Sequence, residues 1–151
     1  MLRVVKVAGE SMAPTYRPSD LLLTRRAGRA GAHVRRGDVV VVRHLGVRIV
    51  KRVVGLPGDV VELEAGRLLV DGDPLDGRRR LPGAYTQTWR VPAGSCFVVG
   101  DNRAASTDSR VWAVPYVQVT DVEAVVAGRL WPGRAGRLTR RRRAAGAGRS
   151  A

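Results

Sequence analysis

The chain has 151 residues, of which 44% are hydrophobic, and this length and composition suit one domain with a core of its own. A formal net charge of +14 favours anionic partners such as acidic lipid or nucleic acid, although a general arginine-rich composition explains the charge equally well. A single cysteine, Cys96, excludes an internal disulfide. No apolar run is long enough to span a bilayer, and the N-terminus lacks a secretory signal pattern.

Runs rich in valine alternate with glycine-containing turns, which predicts a mainly β fold. In chain order, the predicted strands are Leu2–Val7, Asp20–Thr24, Val39–Arg43, Val47–Val54, Val60–Glu64, Arg67–Val70, a weak strand near Tyr85–Val91, Cys96–Val99, and a closing strand or strand pair within Val117–Leu130. A basic, glycine-rich loop is expected at residues 25–36, and Ala65-Gly66 is expected to turn a hairpin.

Composition also predicts the domain organisation. Residues 1–132 are interpreted as one catalytic domain with a loop-rich insert at about residues 73–95, which contains three prolines. Residues 133–151 are rich in arginine, alanine and glycine and have no apolar face, which is typical of a disordered tail.

Ser11 lies in the loop that follows the first predicted strand. Gly9 allows close approach of the backbone, and Pro14 fixes a bend just after the serine. Serine in a turn is most often an ordinary turn residue, so the loop by itself does not establish a nucleophile.

Lys51 is notable because all but two of the 27 basic residues are arginine. Arginine cannot lose its proton in a protein, whereas a desolvated lysine can act as a general base. Strand alternation places Lys51 on the apolar face of its strand, where burial lowers the pKa of a lysine. A lysine extending from a sheet edge to solvent is the alternative interpretation.

A polar loop at residues 100–110 contains the third group of candidates. Asp108 and Arg110 are two residues apart and can pair on one side of an extended segment, while Ser106 can orient a neighbouring amine. A turn with an incidental ion pair is the alternative.

Together these segments resemble the type I signal peptidase family of serine–lysine proteases. The segments 9–15 (GESMAPT), 36–42 (RGDVVVV), 50–59 (VKRVVGLPGD) and 100–110 (GDNRAASTDSR) are similar to four family motifs and occur in the family's order. The resemblance covers about residues 3–130.

The resemblance implies a role for each matching residue. Ser11 would be the nucleophile, with its backbone N–H in the oxyanion hole, and Lys51 would be the general base. The residues that would support the site are Ser106, Asp108, Arg110 and Asp101, and those that would contact substrate are Gly9, Met12 and Pro14. Gly9 replaces a hydroxyl residue that some family members use as a second oxyanion donor.

The resemblance also implies an antiparallel, barrel-like β-sheet fold with small pockets that accept Ala-x-Ala before the cleaved bond. Expected partners are precursors that carry signal peptides, an anionic membrane surface and, as an open alternative, an anchored partner protein. No cofactor, metal or nucleic acid is expected. The enzyme would be a peripheral membrane protein on the extracytoplasmic side, or cytoplasmic if the chain as written has no upstream anchor.

Two other functions remain open from the sequence. One is a dedicated maturation protease, which would use the same chemistry on one or a few precursors. The other is a small basic β-barrel that binds nucleic acid through the arginines at 140–143. The low aromatic content, 5%, argues against a base-stacking surface and therefore against the second function.

Overall fold

The computed structural model describes residues 1–28 and 34–131. Within these residues the strands are β1 Leu2–Lys6, β2 Leu21–Arg26, β3 Val39–His44, β4 Val47–Gly55, β5 Val60–Glu64, β6 Arg67–Val70, β7 Asp73–Pro74, β8 Thr86–Arg90, β9 Ser95–Val99, β10 Val117–Gln118 and β11 Val122–Trp131. Two single turns of 3-10 helix, Arg103–Ala105 and Val119–Asp121, interrupt the loops. The mainly β prediction is confirmed, and all strand pairs are antiparallel.

The strands form two sheets. The larger sheet has seven strands in the order β1-β2-β11-β3-β4-β9-β10, and the smaller has four in the order β7-β6-β5-β8. The last strand, β11, inserts between β2 and β3, so the C-terminal part of the described chain closes the larger sheet against its N-terminal part. The four valines of β3 are all buried, as expected for a strand covered on both faces.

Two apolar clusters support this arrangement. One lies within the larger sheet and is built mainly from valines of β3, β4, β9 and β11. The other joins the sheets and includes Trp89 and Phe97, whose ring centroids are 5.0 Å apart. Gly55 lies at this junction, where an added Cβ would be 2.7 Å from a methyl group of Val61. The glycine therefore lets the two sheets pack closely.

The insert contains the strand that the sequence predicts near Tyr85–Val91, which is β8 and pairs along its whole length with β5. The short strand β7, which pairs with β6, is an addition to the predicted elements. The buried ring of Trp89 explains why β8 forms a regular strand, because this large aromatic side chain anchors the strand on the second core. β2 likewise extends to Arg26, beyond the predicted end at Thr24, because Arg25 pairs with both Leu2 and Val125.

The predicted tail at residues 133–151 lies outside the described residues, and so does part of the basic loop predicted at 25–36. The division into a catalytic domain and a tail therefore stays a prediction.

Candidate active site

Ser11 lies in the loop between β1 and β2, which we call the nucleophile loop and define as residues 8–19. Two hydrogen bonds close the base of this loop, from the Val7 N–H to the Asp20 carbonyl at 2.9 Å and from the Ser19 N–H to the Val7 carbonyl at 2.8 Å. Inside the loop, the Tyr16 N–H donates to the Met12 carbonyl at 2.9 Å. The chain around Ser11 is therefore a compact turn with fixed ends.

The loop at residues 100–110 holds the nucleophile loop from one side. The Asn102 N–H donates to the carbonyl of Ser11 at 2.9 Å, and its side-chain amide donates to the carbonyl of Glu10 at 3.2 Å. These contacts join segments more than 90 positions apart in the chain, which sequence reasoning had associated only through the family motifs.

Lys51 lies on β4 and is buried, with 4% of its surface exposed. Burial lowers the pKa of Lys51 from its ordinary value of 10.5; the carboxylate of Asp108 opposes this effect and the guanidinium of Arg110 adds to it. The predicted placement on an apolar face is therefore confirmed by the burial of Lys51 and Val53. An amine in this setting gives up its proton more readily than an exposed lysine does.

Gly100 is where the candidate residues meet. The last β4–β9 pair at this end is Arg52 with Val99, so the same antiparallel register brings Lys51 next to Gly100. A Cβ added to Gly100 would lie 2.5 Å from the carbonyl oxygen of Ser11 and would also collide with the side chain of Ser106. The absence of a side chain at residue 100 therefore lets the nucleophile loop and Ser106 approach the chain where it leaves β9.

Asp108 is the centre of a hydrogen-bonded cluster beside Lys51. Its carboxylate accepts hydrogen bonds from the Gly100 N–H at 2.9 Å, the Ser106 hydroxyl at 2.6 Å and Nε of Arg110 at 2.8 Å. Burial would raise the pKa of Asp108, but the hydrogen bonds from Arg110, Ser106 and Gly100 lower it below its ordinary value. Asp108 is therefore an anion that fixes three groups around the lysine.

The predicted pairing of Asp108 with Arg110 is present in the structure. The hydroxyl of Ser106 donates to Asp108, which leaves its oxygen able to accept a hydrogen bond from the amine of Lys51. That second contact, which would orient the lysine, stays a prediction.

Asp101 connects the nucleophile loop to β4. Its carboxylate accepts two hydrogen bonds from Arg52, at 2.8 and 2.6 Å, and one from the hydroxyl of Thr15 at 2.6 Å. Burial would raise the pKa of Asp101, and the contacts with Arg52 and Thr15 lower it instead. Arg52 and Thr15 were not singled out from the sequence, although each lies within one of the four motif segments.

The predicted substrate contacts differ in exposure. Gly9 and Pro14 are exposed, whereas the side chain of Met12 is only 1% exposed and belongs to the interior. An added Cβ at Gly9 would meet nothing within 4 Å, so open space borders the nucleophile loop on this side. Substrate binding by these three residues stays a prediction.

Ser109 also escaped sequence reasoning. It is fully buried and exchanges two hydrogen bonds with Val98, from its N–H to the Val98 carbonyl at 3.1 Å and from the Val98 N–H to its hydroxyl at 3.0 Å. These bonds attach the loop at residues 100–110 to β9 and so fix the position of Asp108.

Comparison with known proteins identifies the family of the chain. The sequence profile of the family described as signal peptidase, peptidase S26, matches residues 1–131. A signal peptidase I of Leptolyngbya laminosa is 34% identical over 139 residues, covering 83% of this chain and 67% of its own. A signal peptidase I of Bacillus caldolyticus is 33% identical over 144 residues, covering 83% and 78% respectively.

Among solved structures, a signal peptidase I of Enterococcus faecalis is 31% identical and has a TM-score of 0.49, covering 61% of this chain and 95% of its own. The family match and the curated relatives confirm the resemblance of the motifs. The chain therefore belongs to the signal peptidase family, peptidase S26, and is a serine endopeptidase that removes signal peptides from precursor proteins.

Proposed function

We propose that Ser11 is the nucleophile of this peptidase and that Lys51 is its general base. The neutral amine of Lys51 takes the proton of the Ser11 hydroxyl as the serine oxygen attacks the scissile carbonyl. The resulting ammonium gives that proton to the leaving amine, and an acyl-enzyme ester remains. Water, deprotonated by the same amine, then hydrolyses the ester and releases Ser11.

The burial of Lys51 is the observation that carries this proposal. A serine hydroxyl is a weak nucleophile until a base removes its proton, and an exposed lysine is almost wholly protonated at neutral pH. Burial lowers the pKa of Lys51, so it gains a neutral fraction that an exposed lysine lacks. The register of β4 and β9 supports the assignment, because it brings Lys51 towards Gly100, whose neighbour is the carbonyl of Ser11.

The oxyanion that forms in the transition state requires hydrogen-bond donors. The backbone N–H of Ser11 is the first donor in this proposal. Gly9 has no hydroxyl to contribute, so the second donor is a backbone group or another side chain.

The surrounding residues have supporting roles. Ser106 orients the amine of Lys51, Asp108 and Arg110 brace Ser106, and Asp101 holds the nucleophile loop on β4. The precursor lies along the open side of the nucleophile loop and contacts the exposed Gly9 and Pro14, whereas the buried Met12 supports the loop from the interior. The family resemblance implies that the precursor carries an Ala-x-Ala sequence at this position.

Cleavage of a precursor with an Ala-x-Ala site tests this assignment. We expect wild type to be active and both Ser11→Ala and Lys51→Arg to be inactive, because arginine keeps the charge but cannot act as a base. Lys6→Arg is the matched control, since Lys6 is the only other lysine and is exposed. Lys51→Arg with wild-type activity would contradict the role of Lys51.

The same assay on a panel of unrelated precursors measures the breadth of the substrate set. We expect cleavage of many precursors that share the Ala-x-Ala pattern. Cleavage of only one or two of them would instead support a dedicated maturation protease.

We also propose that the enzyme works at an anionic membrane surface. No helix within residues 1–28 and 34–131 is long and apolar enough to cross a bilayer. In the larger sheet, exposed apolar side chains lie on the edge strand β1 and at the end of β11, namely Leu2, Val4, Leu130 and Trp131. Contact with acidic lipid would use these residues and the basic segment 134–151, in which each basic residue contributes about 1 kcal/mol near the surface.

Co-sedimentation with vesicles that contain acidic lipid tests this part. We expect binding by the full chain, with losses on deletion of residues 134–151, in high salt and in a Leu2→Ser, Val4→Ser double variant. Binding that is unchanged by the deletion or by salt would contradict the role of the basic segment. Binding only in the presence of a membrane-anchored protein would indicate an anchored partner.

A further inference from the structure

Arg129, on β11, contacts the nucleophile loop at residues other than those that Asn102 contacts. One Nη atom of its guanidinium donates a hydrogen bond to the carbonyl of Thr15. Its Nε lies 3.3 Å from a carboxylate oxygen of Asp20, and its Cζ lies 5.5 Å from the centre of the Tyr16 ring. One side chain thus contacts three residues that follow Ser11 in the loop and at its end.

Thr15 is therefore held on both sides. Its hydroxyl donates to Asp101, while its carbonyl accepts from Arg129. The next residue, Tyr16, donates its N–H to the carbonyl of Met12, which directly follows Ser11. A shift of Thr15 and Tyr16 would consequently move the backbone next to the nucleophile.

We propose that Arg129 is a positioning residue, which sets the place of Ser11 by clamping the second half of the nucleophile loop. This inference rests on the proposed role of Ser11 as the nucleophile. Arg129 acts through the loop and contacts neither Ser11 nor Lys51 by any hydrogen bond or ion pair in the described chain. Because attack on a carbonyl requires close alignment, a displacement of about 1 Å can slow the reaction by about 100-fold.

The chemistry of the three contacts explains why an arginine serves here. A planar guanidinium presents several N–H donors in a fixed fork, and its face attracts an aromatic ring. It can therefore serve a carbonyl, a carboxylate and a phenol ring at once. A lysine at residue 129 would keep the charge beside Asp20 but would lose the simultaneous contact with Thr15.

The test is steady-state cleavage of a precursor by wild type, Arg129→Met and Arg129→Lys. We expect kcat to fall by roughly 10- to 100-fold in Arg129→Met with little change in KM, and Arg129→Lys to recover part of the loss. The pH at which activity rises should stay in place, because the charges that act on Lys51 are those of Asp108 and Arg110. If Arg129→Met instead loosened the fold around Lys51, water would reach the amine, its pKa would rise, and activity would rise only at a higher pH.

Arg80→Met is the matched control. Arg80 is 47% exposed and pairs with Glu64, a carboxylate that is 3% exposed, just as Arg129, 39% exposed, pairs with Asp20, 2% exposed. Arg80 lies at the smaller sheet, so its replacement removes a similar ion pair without touching the nucleophile loop. We expect Arg80→Met to keep the wild-type kcat.

Several outcomes would overturn the positioning role. These are a wild-type kcat in Arg129→Met, an equal loss in Arg80→Met, and a rise in KM with kcat unchanged. If Arg129→Met unfolds below the assay temperature, Tyr16→Leu decides, with Tyr16→Phe as its control: the first removes the ring that Arg129 contacts and should lower kcat, whereas the second removes only the hydroxyl near Arg52 and should not. Activity of Ser11→Ala would instead contradict the proposed nucleophile and leave the geometry of Arg129 unexplained.

Discussion

Each of the two sheets buries a carboxylate beside an arginine, but the two carboxylates have different surroundings. Glu64, at the smaller sheet, accepts hydrogen bonds from the Leu81 N–H and from Arg80, and so attaches a surface loop to β5. Asp108, at the larger sheet, binds Arg110 and also acts electrostatically on a buried lysine. The pKa of each carboxyl group is lowered, so a perturbed acid alone does not mark the active site. The two carboxylates are distinguished by the buried Lys51, which acts on Asp108 and not on Glu64.

The largest expected effect is the difference in kcat between alanine variants of two glycines, Gly100 and Gly55. A methyl group at residue 100 would collide with Ser106 and with the backbone of Ser11, so we expect Gly100→Ala to lower kcat by about 100-fold or more. Gly55→Ala would press only on side chains of the second core, at a cost of roughly 1–3 kcal/mol of stability. Measurement of kcat and of urea unfolding on both variants checks this. An equal loss of kcat in Gly100→Ala and Gly55→Ala would contradict the prediction that only the contact at Gly100 matters for catalysis.

Next are the two carboxylates. Asp108→Asn breaks a buried ion pair, and we expect it to lower the free energy of unfolding by roughly 3–5 kcal/mol and to abolish cleavage. Glu64→Gln should lower stability while kcat stays at the wild-type value. Chemical denaturation and steady-state kinetics on each variant provide the measurements. A normal kcat in Asp108→Asn would show that Asp108 is not needed for catalysis.

A smaller effect is a shift in pH dependence. Only neutral Lys51 is a base, so activity should rise with pH through its lowered pKa. Arg110→Met removes a cation that lowers this pKa and should move the rise to higher pH, whereas Arg110→Lys should leave it nearly in place. The pH profile of kcat/KM measures both, and a rise that stays in place in Arg110→Met would exclude coupling between the two residues.

Stability should follow the same titration. Between the lowered pKa of folded Lys51 and its ordinary value of 10.5, the unfolded chain binds a proton that the folded protein does not. The free energy of unfolding should therefore rise with pH in that window, and the rise should vanish in Lys51→Met. No difference between the two proteins across the window would mean that Lys51 titrates normally.

The smallest effect is expected at Gly9. An added side chain meets nothing within 4 Å, so Gly9→Ser should change stability by no more than about 0.5 kcal/mol. The new hydroxyl lies two residues before Ser11 and could supply an oxyanion donor, which would raise kcat modestly, whereas Gly9→Ala should not. Thermal unfolding of the two variants measures the effect of the added side chain on stability. The difference in kcat between Gly9→Ser and Gly9→Ala measures the effect of the hydroxyl.

The sequence by itself determined the local structure and the candidates for the site. Runs rich in valine are enough to locate strands such as β4. The alternation of side chains along such a strand then decides that Lys51 and Arg52 lie on opposite faces. The motifs were enough to identify the family. The predicted strand near Tyr85–Val91 is present as β8, but the sequence did not show that Trp89 anchors this strand in the second core.

Only the tertiary structure decided how distant segments meet. The insertion of β11 between β2 and β3 brings Arg129 to Thr15, a separation of 114 positions that no local pattern encodes. The contact of Gly100 with Ser11 likewise depends on a close approach of two backbones, which one sequence cannot reveal. Periodicity fixes the direction of a side chain along its own strand, whereas pairing across the sheet fixes its neighbours.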